Sequence, residues 1–196
     1  IAAALTQVRA ERGAGPIDAD TVRPWISLGA DTLVARALDR HAREPAADLA
    51  RFRAILSNLP TDPHCLYPRV EEALDLLDRA GFAMAVITNK PEGLSRRLLA
   101  DLDLERRFAA VVGGDTTPHP KPDPAPMHHV LAALGAQPER AMLIGDSAID
   151  AAAARALAMP FLLFEGGYGP RECDPADVAG HFASFGDLPA LIERFA

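Results

Sequence analysis

The sequence predicts an α/β protein in two parts: a helical segment over residues 1–62, then a parallel-sheet core over residues 63–196. Three observations carry this. From Ile1 to about Pro60 apolar residues recur at helical spacing, and no stretch reads as a strand. After PTDPHCLYP the rhythm changes to alternating helix and strand. The strands are continuous apolar runs, the pattern of strands buried on both faces of a parallel sheet.

Taken in order, IAAALTQVRAERG is a helix that stops at Gly13. Asp18 or Asp20 can cap a short helix running through Val22 and Trp25. ADTLVARALDRHARE sets Leu33, Ala37 and Leu38 on one face, and AADLARFRAILSNLP does the same with Leu49, Phe52, Ile55 and Leu56. Helices this short need those faces buried on a neighbour. In the second part, RVEEALDLLDRAG is a helix closed by Gly81, FAMAVIT a buried strand and PEGLSRRLLADLDL a helix. FAAVVGG is a strand, DPAPMHHVLAALGA a helix ending near Gly135, and AMLIG a strand. AIDAAAARALA is a helix and PFLLFEGG a strand; HFASF is a candidate edge strand, with GDLPALIERFA the closing helix. Crossovers between parallel strands are right-handed. In such sheets a ligand site lies beyond the carboxyl ends of the strands.

The chain has 196 residues, enough for one ordinary domain or a core with a small appended one. A net charge of −7 argues against a general nucleic-acid surface, because phosphate backbones need basic patches. No apolar run approaches the roughly 18 residues of a membrane span. The opening residues lack the basic leader and apolar block of a secretory signal. Cys65 and Cys173, without short spacing, suggest reduced thiols, and the expectation is a cytoplasmic protein. Basic residues are nearly all Arg; only Lys90 and Lys121 are lysine. A compact ammonium fits between two anions in a tight site, so these positions stand out.

Three strands end in polar residues suited to one site. AVITNKP brings Thr88 and Asn89 to a strand end just before a helix that starts near Pro91. A hydroxyl, an amide and main-chain N–H groups beside a helix start can hold a phosphate. The plainer alternative is a strand-to-helix turn with Thr88 as cap. GGDTTPHPKPDPAP sets Lys121 among prolines, which fix φ and hold the lysine where it can meet a phosphate and a carboxylate. A surface lysine in a rigid turn is the alternative; Asp115 and His119 could flank the same place. AMLIGDSAID ends a strand at Asp146, with Asp150 in the first turn of the next helix and Ser147 or Asp146 as its cap. Asp146 can reach a Mg²⁺ directly, since that ion takes oxygen ligands and keeps several waters. Asp150 can bind it through water or orient its ligands. A capped helix with one extra N-terminal acid is the alternative, and it explains one carboxylate better than two.

With ITNK, HPKPDP and IGDSAID in that order, the chain resembles the haloacid dehalogenase superfamily of phosphatases. Within it, these segments and WISLGADTLV look like the bacterial phosphoglycolate phosphatases. The resemblance implies a Rossmann-like parallel-sheet core with a small α-helical cap, and Mg²⁺-dependent hydrolysis of a phosphate monoester. In the family an Asp attacks phosphorus to give an aspartyl-phosphate that water cleaves. The metal offsets repulsion between nucleophile and phosphate. Carried onto this chain, Thr88 with Asn89 binds the phosphoryl oxygens, Lys121 balances nucleophile and phosphate, Asp146 binds Mg²⁺ and Asp150 supports that shell. The expected partner is a small phosphorylated metabolite, 2-phosphoglycolate on the resemblance alone, and neither nucleic acid nor membrane.

The resemblance has one gap. The family's first motif, of the form DxDGTxxDS, supplies the nucleophile and ends a strand in the middle of the sheet, and it has no counterpart here. Asp18 and Asp20 lie in the helical part. The expectation is a sheet lacking its first core strand, a nucleophile upstream of Ile1, and 196 residues that by themselves do not hydrolyse phosphate by this route. Two alternatives stand beside it: a catalytically inactive phosphate-binding or regulatory relative, and a sugar phosphomutase of the same superfamily. A dehalogenase would not need the Asp146 and Asp150 pair. Trp25 to Ala30 is the cap segment expected near substrate, with Arg23 or Arg36 as candidate partners of a substrate carboxylate. Cys65 and Tyr67 read as packing residues near the junction, and Lys90 as an anion-attracting or solvated lysine.

Overall fold

The computed structural model describes residues 1–195, and the chain falls into two units, Ile1–Pro60 and Thr61–Ala196. The first unit is helical: α1 (Ala2–Glu11), α2 (Ala19–Val22), a 3₁₀ turn (Arg23–Leu28), α3 (Ala30–Leu38) and α4 (Pro45–Asn58). Asp18 caps α2, accepting from the Thr21 N–H at 2.9 Å. The apolar stripes of α1, α3 and α4 meet at Leu5, Val8, Leu33, Leu38, Phe52 and Ile55, and Trp25 packs half-buried against this core. Within it sits Asp48, 1% exposed, bound by Arg12 Nε at 2.7 Å and by the Arg43 N–H at 3.1 Å. The sequence pattern runs α3 on through Glu44, but the helix ends at Leu38. Asp39 turns to a φ of +46°, and Glu44 precedes Pro45, whose ring disfavours helical backbone at the residue before it.

The second unit alternates as the apolar runs imply. Its elements are α5 (Val70–Arg79), β1 (Ala85–Ile87), α6 (Glu92–Asp101), β2 (Ala110–Val112) and α7 (Ala125–Leu134). Then follow β3 (Leu143–Gly145), α8 (Ala148–Ala156), β4 (Phe161–Phe164), β5 (Gly180–Phe182) and α9 (Leu188–Ile192). All strand pairs are parallel, with apolar layers on both faces. One layer joins Met127 and Leu131 of α7 and Ala151 of α8 to Leu143, Phe161 and Leu163. The other joins Leu77 of α5 and Leu188 and Ile192 of α9 to Leu162, Phe164 and Phe182, with Tyr67 edge-on to Phe164 at 4.8 Å. This is an α/β, Rossmann-like arrangement. The glycines of FLLFEGG lie beyond the paired part of β4, which ends at Phe164.

The strands do not form one sheet. β1 pairs with β2, and β3 with β4 and β5, but β1 and β3 do not pair. The register says which edges stay open. The Thr88 N–H bonds the Val112 carbonyl, so even-numbered residues of β1 address β2 and the main-chain groups of Ala85 and Ile87 point to the other side. The Leu143 N–H bonds the Pro160 carbonyl, so Leu143 and Gly145 address β4, while Ile144 and the Asp146 N–H point away from it. β1 is half-buried at every residue, whereas β4 is buried at every residue. An apolar strand with a partner on one side only has that exposure.

Candidate active site

The two open edges meet in one side-chain pair. Lys121 Nζ donates to the Ile87 carbonyl at 3.0 Å and to Asp150 Oδ1 at 2.5 Å. Asp150 Oδ2 in turn accepts from the Asp146 N–H at 3.1 Å and from Ser147 Oγ at 2.7 Å. Lys121 thus ties the end of β1 to the end of β3, and both its side chain and that of Asp150 are 9% exposed. The lysine comes from a loop between β2 and α7, and the Asn89 amide fixes that loop by donating to the Lys121 carbonyl at 2.9 Å.

Local sequence explains each placement. Ser147 is the N-cap of α8 and accepts from the Asp150 N–H, while the Asp150 carboxylate reaches back to Ser147 Oγ and the preceding main chain. This is the reciprocal logic of a capping box with Asp at the third helical position. Gly145 is needed beside it, because a Cβ there would overlap Asp150. Thr88 Oγ1 accepts from the Lys90 N–H at 3.1 Å, so its own proton remains to be donated. Among the described residues the Asn89 main-chain N–H has no protein acceptor. Two donors therefore stand at the end of β1 beside an ammonium with one N–H to spare. The buried Asn89 Oδ1 has no hydrogen-bond partner.

Other candidates are used elsewhere. Asp115 accepts from the Glu92 N–H at 2.7 Å and so secures the start of α6, which removes that N–H from any anion site. His119 is exposed. Arg23 and Arg36 are exposed residues of the helical unit. Tyr67 belongs to the aromatic layer, stacked with Phe185 at 6.0 Å. Cys65 is an exposed free thiol, and burial pushes the Cys173 thiol up to about 11, with the nearby charges of Asp150 and Asp146 adding to it. Lys90 is half-buried, and burial lowers its pKa from the ordinary lysine value.

The electrostatics of the two acids differ. Burial works to raise Asp150, but the adjacent Lys121 charge and the hydrogen bonds from Lys121 and Ser147 hold it below the ordinary carboxylate value. Asp146 is pushed up by burial and by the Asp150 charge, against the opposing hydrogen bond from the Tyr168 N–H. Tyr168 N–H donates to Asp146 Oδ2 at 2.8 Å. Sequence reasoning missed this contact; its only trace in the chain is the glycine pair in EGGYG, which lets the backbone come close.

The donor set suits Mg²⁺. Among the described residues no three His, Cys, Asp or Glu side chains form a metal cluster. Mg²⁺ is ordinarily held by one or two carboxylates plus substrate phosphate and water, without an all-protein cage. Among the described residues Asp146, a half-buried residue, has one oxygen with no protein donor on it, and Asp150 has both oxygens on protein partners. Asp150 can therefore address a cation through water, while its direct commitment is to Lys121.

Comparison with known proteins identifies the family. The family of haloacid dehalogenase-like hydrolases matches residues 1–164. A phosphoglycolate phosphatase of Rhodospirillum rubrum is 36% identical over 96% of this chain and 80% of its own length. One from Cereibacter sphaeroides is 34% identical over 99% of this chain and 90% of its own. A Haemophilus somnus structure described as a predicted phosphoglycolate phosphatase superposes with a TM-score of 0.85 at 25% identity, covering 97% of this chain and 89% of that one. Among the described residues no helix is long and apolar enough to cross a membrane. The chain belongs to the haloacid dehalogenase-like hydrolases.

Proposed function

We propose that this hydrolase cleaves the phosphate monoester of a small metabolite, 2-phosphoglycolate, with Mg²⁺, through an aspartyl-phosphate formed on a carboxylate outside these 196 residues. The observation that carries the reading is the Lys121 bridge. Its ammonium stands where β1 and β3 end, with two N–H groups on Ile87 and Asp150 and a third for an incoming anion. A carboxylate nucleophile and a phosphate repel each other, and a fixed cation between them offsets that repulsion. The Thr88 hydroxyl and the Asn89 N–H would bind the phosphoryl oxygens. The open edges of β1 and β3 match one parallel strand, whose carboxyl end would carry the attacking acid to Lys121. A donor from that segment would also satisfy Asn89 Oδ1. Asp146, with Asp150 behind it through water, would hold Mg²⁺, which when bound adds positive charge against the phosphoryl group. In this reading the helical unit, set at residues 1–62, is the cap, and residues 63–196 are the hydrolase core. The names of the relatives favour phosphoglycolate.

The test is phosphate release by the full gene product from phosphoglycolate and other small esters, with and without Mg²⁺. Preferential release from phosphoglycolate that requires Mg²⁺ is expected, with Thr88→Val or Lys121→Met losing about 10²–10³ in kcat. Equal rates on many esters would defeat the narrow substrate, and metal-independent release would defeat the mechanism. Phosphate moved between positions of a sugar would make the protein a mutase. Phosphate binding without turnover would make it an inactive relative.

A further inference from the structure

We propose that Gly167–Tyr168–Gly169, the turn after β4, is a main-chain clamp that decides which oxygen of Asp146 meets a divalent cation. The inference rests on the reading of Asp146 as the cation ligand and goes beyond it to residues outside the three strand ends. The clamp has four contacts. The Tyr168 N–H donates to Asp146 Oδ2 at 2.8 Å, and the Gly169 N–H donates to the Asp146 carbonyl at 3.2 Å. Gly169 pairs with Ser147 as an isolated parallel bridge, so the turn extends the β3–β4 pairing beyond both strands. Gly167 is buried, and a Cβ on it would overlap the Asp146 side chain.

These contacts act on position more than on charge. An N–H on Oδ2 fixes the carboxylate plane and leaves Oδ1 to face a cation. Gly167 packs closely against the Cβ and Oδ2 of the same carboxylate and so restricts its swing. A cation with strict octahedral geometry gains from a ligand held in one orientation, because less freedom is lost on binding. The hydrogen bond to Asp146 comes from the Tyr168 main-chain N–H. Gly167 is accordingly a positioning residue.

The experiment measures Mn²⁺ binding to the full gene product, metal alone, by electron paramagnetic resonance, with urea midpoints taken in cation-free buffer. Gly167→Ala is expected to weaken Mn²⁺ at least tenfold. Tyr168→Pro, which removes the N–H and adds nothing at position 167, should do the same if Gly167→Ala does not fold. Tyr168→Phe should bind as the unaltered protein does. Unchanged affinity in Gly167→Ala or Tyr168→Pro would overturn the clamp, as would a loss in Tyr168→Phe equal to that in Tyr168→Pro. If Asp146→Asn binds Mn²⁺ as well as the unaltered protein, the reading of Asp146 has failed instead, which separates the two.

Discussion

Lys121 Nζ lies 2.5 Å from Asp150 Oδ1 while also bonding the Ile87 carbonyl at 3.0 Å, so one buried ion pair joins the ends of two strands that do not pair with each other. The pair replaces, at one point, the ladder that a strand between β1 and β3 would supply. It also sets the charge of the site: one ammonium against two carboxylates leaves a single net negative charge in a poorly solvated place, a setting that a divalent cation completes.

Lys121→Met should therefore destabilise the fold. Removing one partner of a buried pair leaves the other charge uncompensated, at a cost of about 3–5 kcal/mol. The pH dependence gives the sign. Asp150 is held below its ordinary pKa, so its contribution is present above about pH 4 and fades as pH falls through its lower folded value. Without Lys121, burial is opposed only by the hydrogen bonds from Ser147 and the Asp146 N–H, so the folded pKa moves up and less stability is lost on acidification. Urea midpoints at pH 7 and pH 5 should rise on acidification in the variant relative to the unaltered protein.

Asp146 has the opposite sign. Its folded pKa is raised by burial, so its contribution favours folding at low pH and is lost as pH rises through that value. A divalent cation favours the ionised form and reverses this. Saturating Mg²⁺ should raise the melting temperature more at pH 7.5 than at pH 5, and Asp146→Asn should abolish the difference. A Mg²⁺ shift that survives in Asp146→Asn would place the cation elsewhere.

Much of this was legible in the sequence. The order Thr88, Lys121, Asp146, Asp150 along successive strand ends follows from apolar runs stopping at polar residues, and the parallel sheet follows from the runs themselves. The partners of these residues were harder to read. Asp115 looks like a flanking acid in the chain but caps α6, because the β2 loop doubles back onto the Lys90–Glu92 turn, where the Gly114 N–H meets the Lys90 carbonyl. The Tyr168 contact to Asp146 is made by main chain, and a main-chain donor has no signature in residue type. Strand length was overread for a physical reason: FAMAVI is apolar throughout, yet the ladder with β2 runs only over Ala85–Ile87, with single bonds at Met84 and Thr88 beyond it.

Lys90 offers a test of uncompensated charge. Its ammonium is half-buried, and among the described residues it has no ion pair or hydrogen bond. Burial lowers its pKa, with only the nearby Cys65 acting the other way. The unfolded chain then holds the proton more tightly, so the folded form is penalised at neutral pH and recovers as pH rises toward the ordinary lysine value. Lys90→Met should raise the unfolding free energy at pH 7 by on the order of 1 kcal/mol. The gain should shrink as pH rises toward the ordinary lysine value. A loss of stability at pH 7 would mean that an anion, not solvent, faces this lysine.

Gly145 and Gly93 should respond in opposite directions to the same substitution. Gly93 lies in α6, and a Cβ there meets nothing within 4 Å. Gly93→Ala removes backbone freedom from the unfolded chain and should stabilise by about 0.4–1 kcal/mol. At Gly145 the added methyl would overlap the Asp150 side chain, which is held in place by Lys121, Ser147 and the Asp146 N–H. Gly145→Ala must displace Asp150 or β3, and overpacking of this kind costs about 1–3 kcal/mol. Displacing Asp150 also frees Lys121 from its anchor, so inorganic phosphate should bind more weakly in Gly145→Ala and equally well in Gly93→Ala. Isothermal titration with phosphate and urea unfolding of both variants check this, and a destabilised Gly145→Ala that keeps full phosphate affinity would show that the lysine holds its position without Asp150.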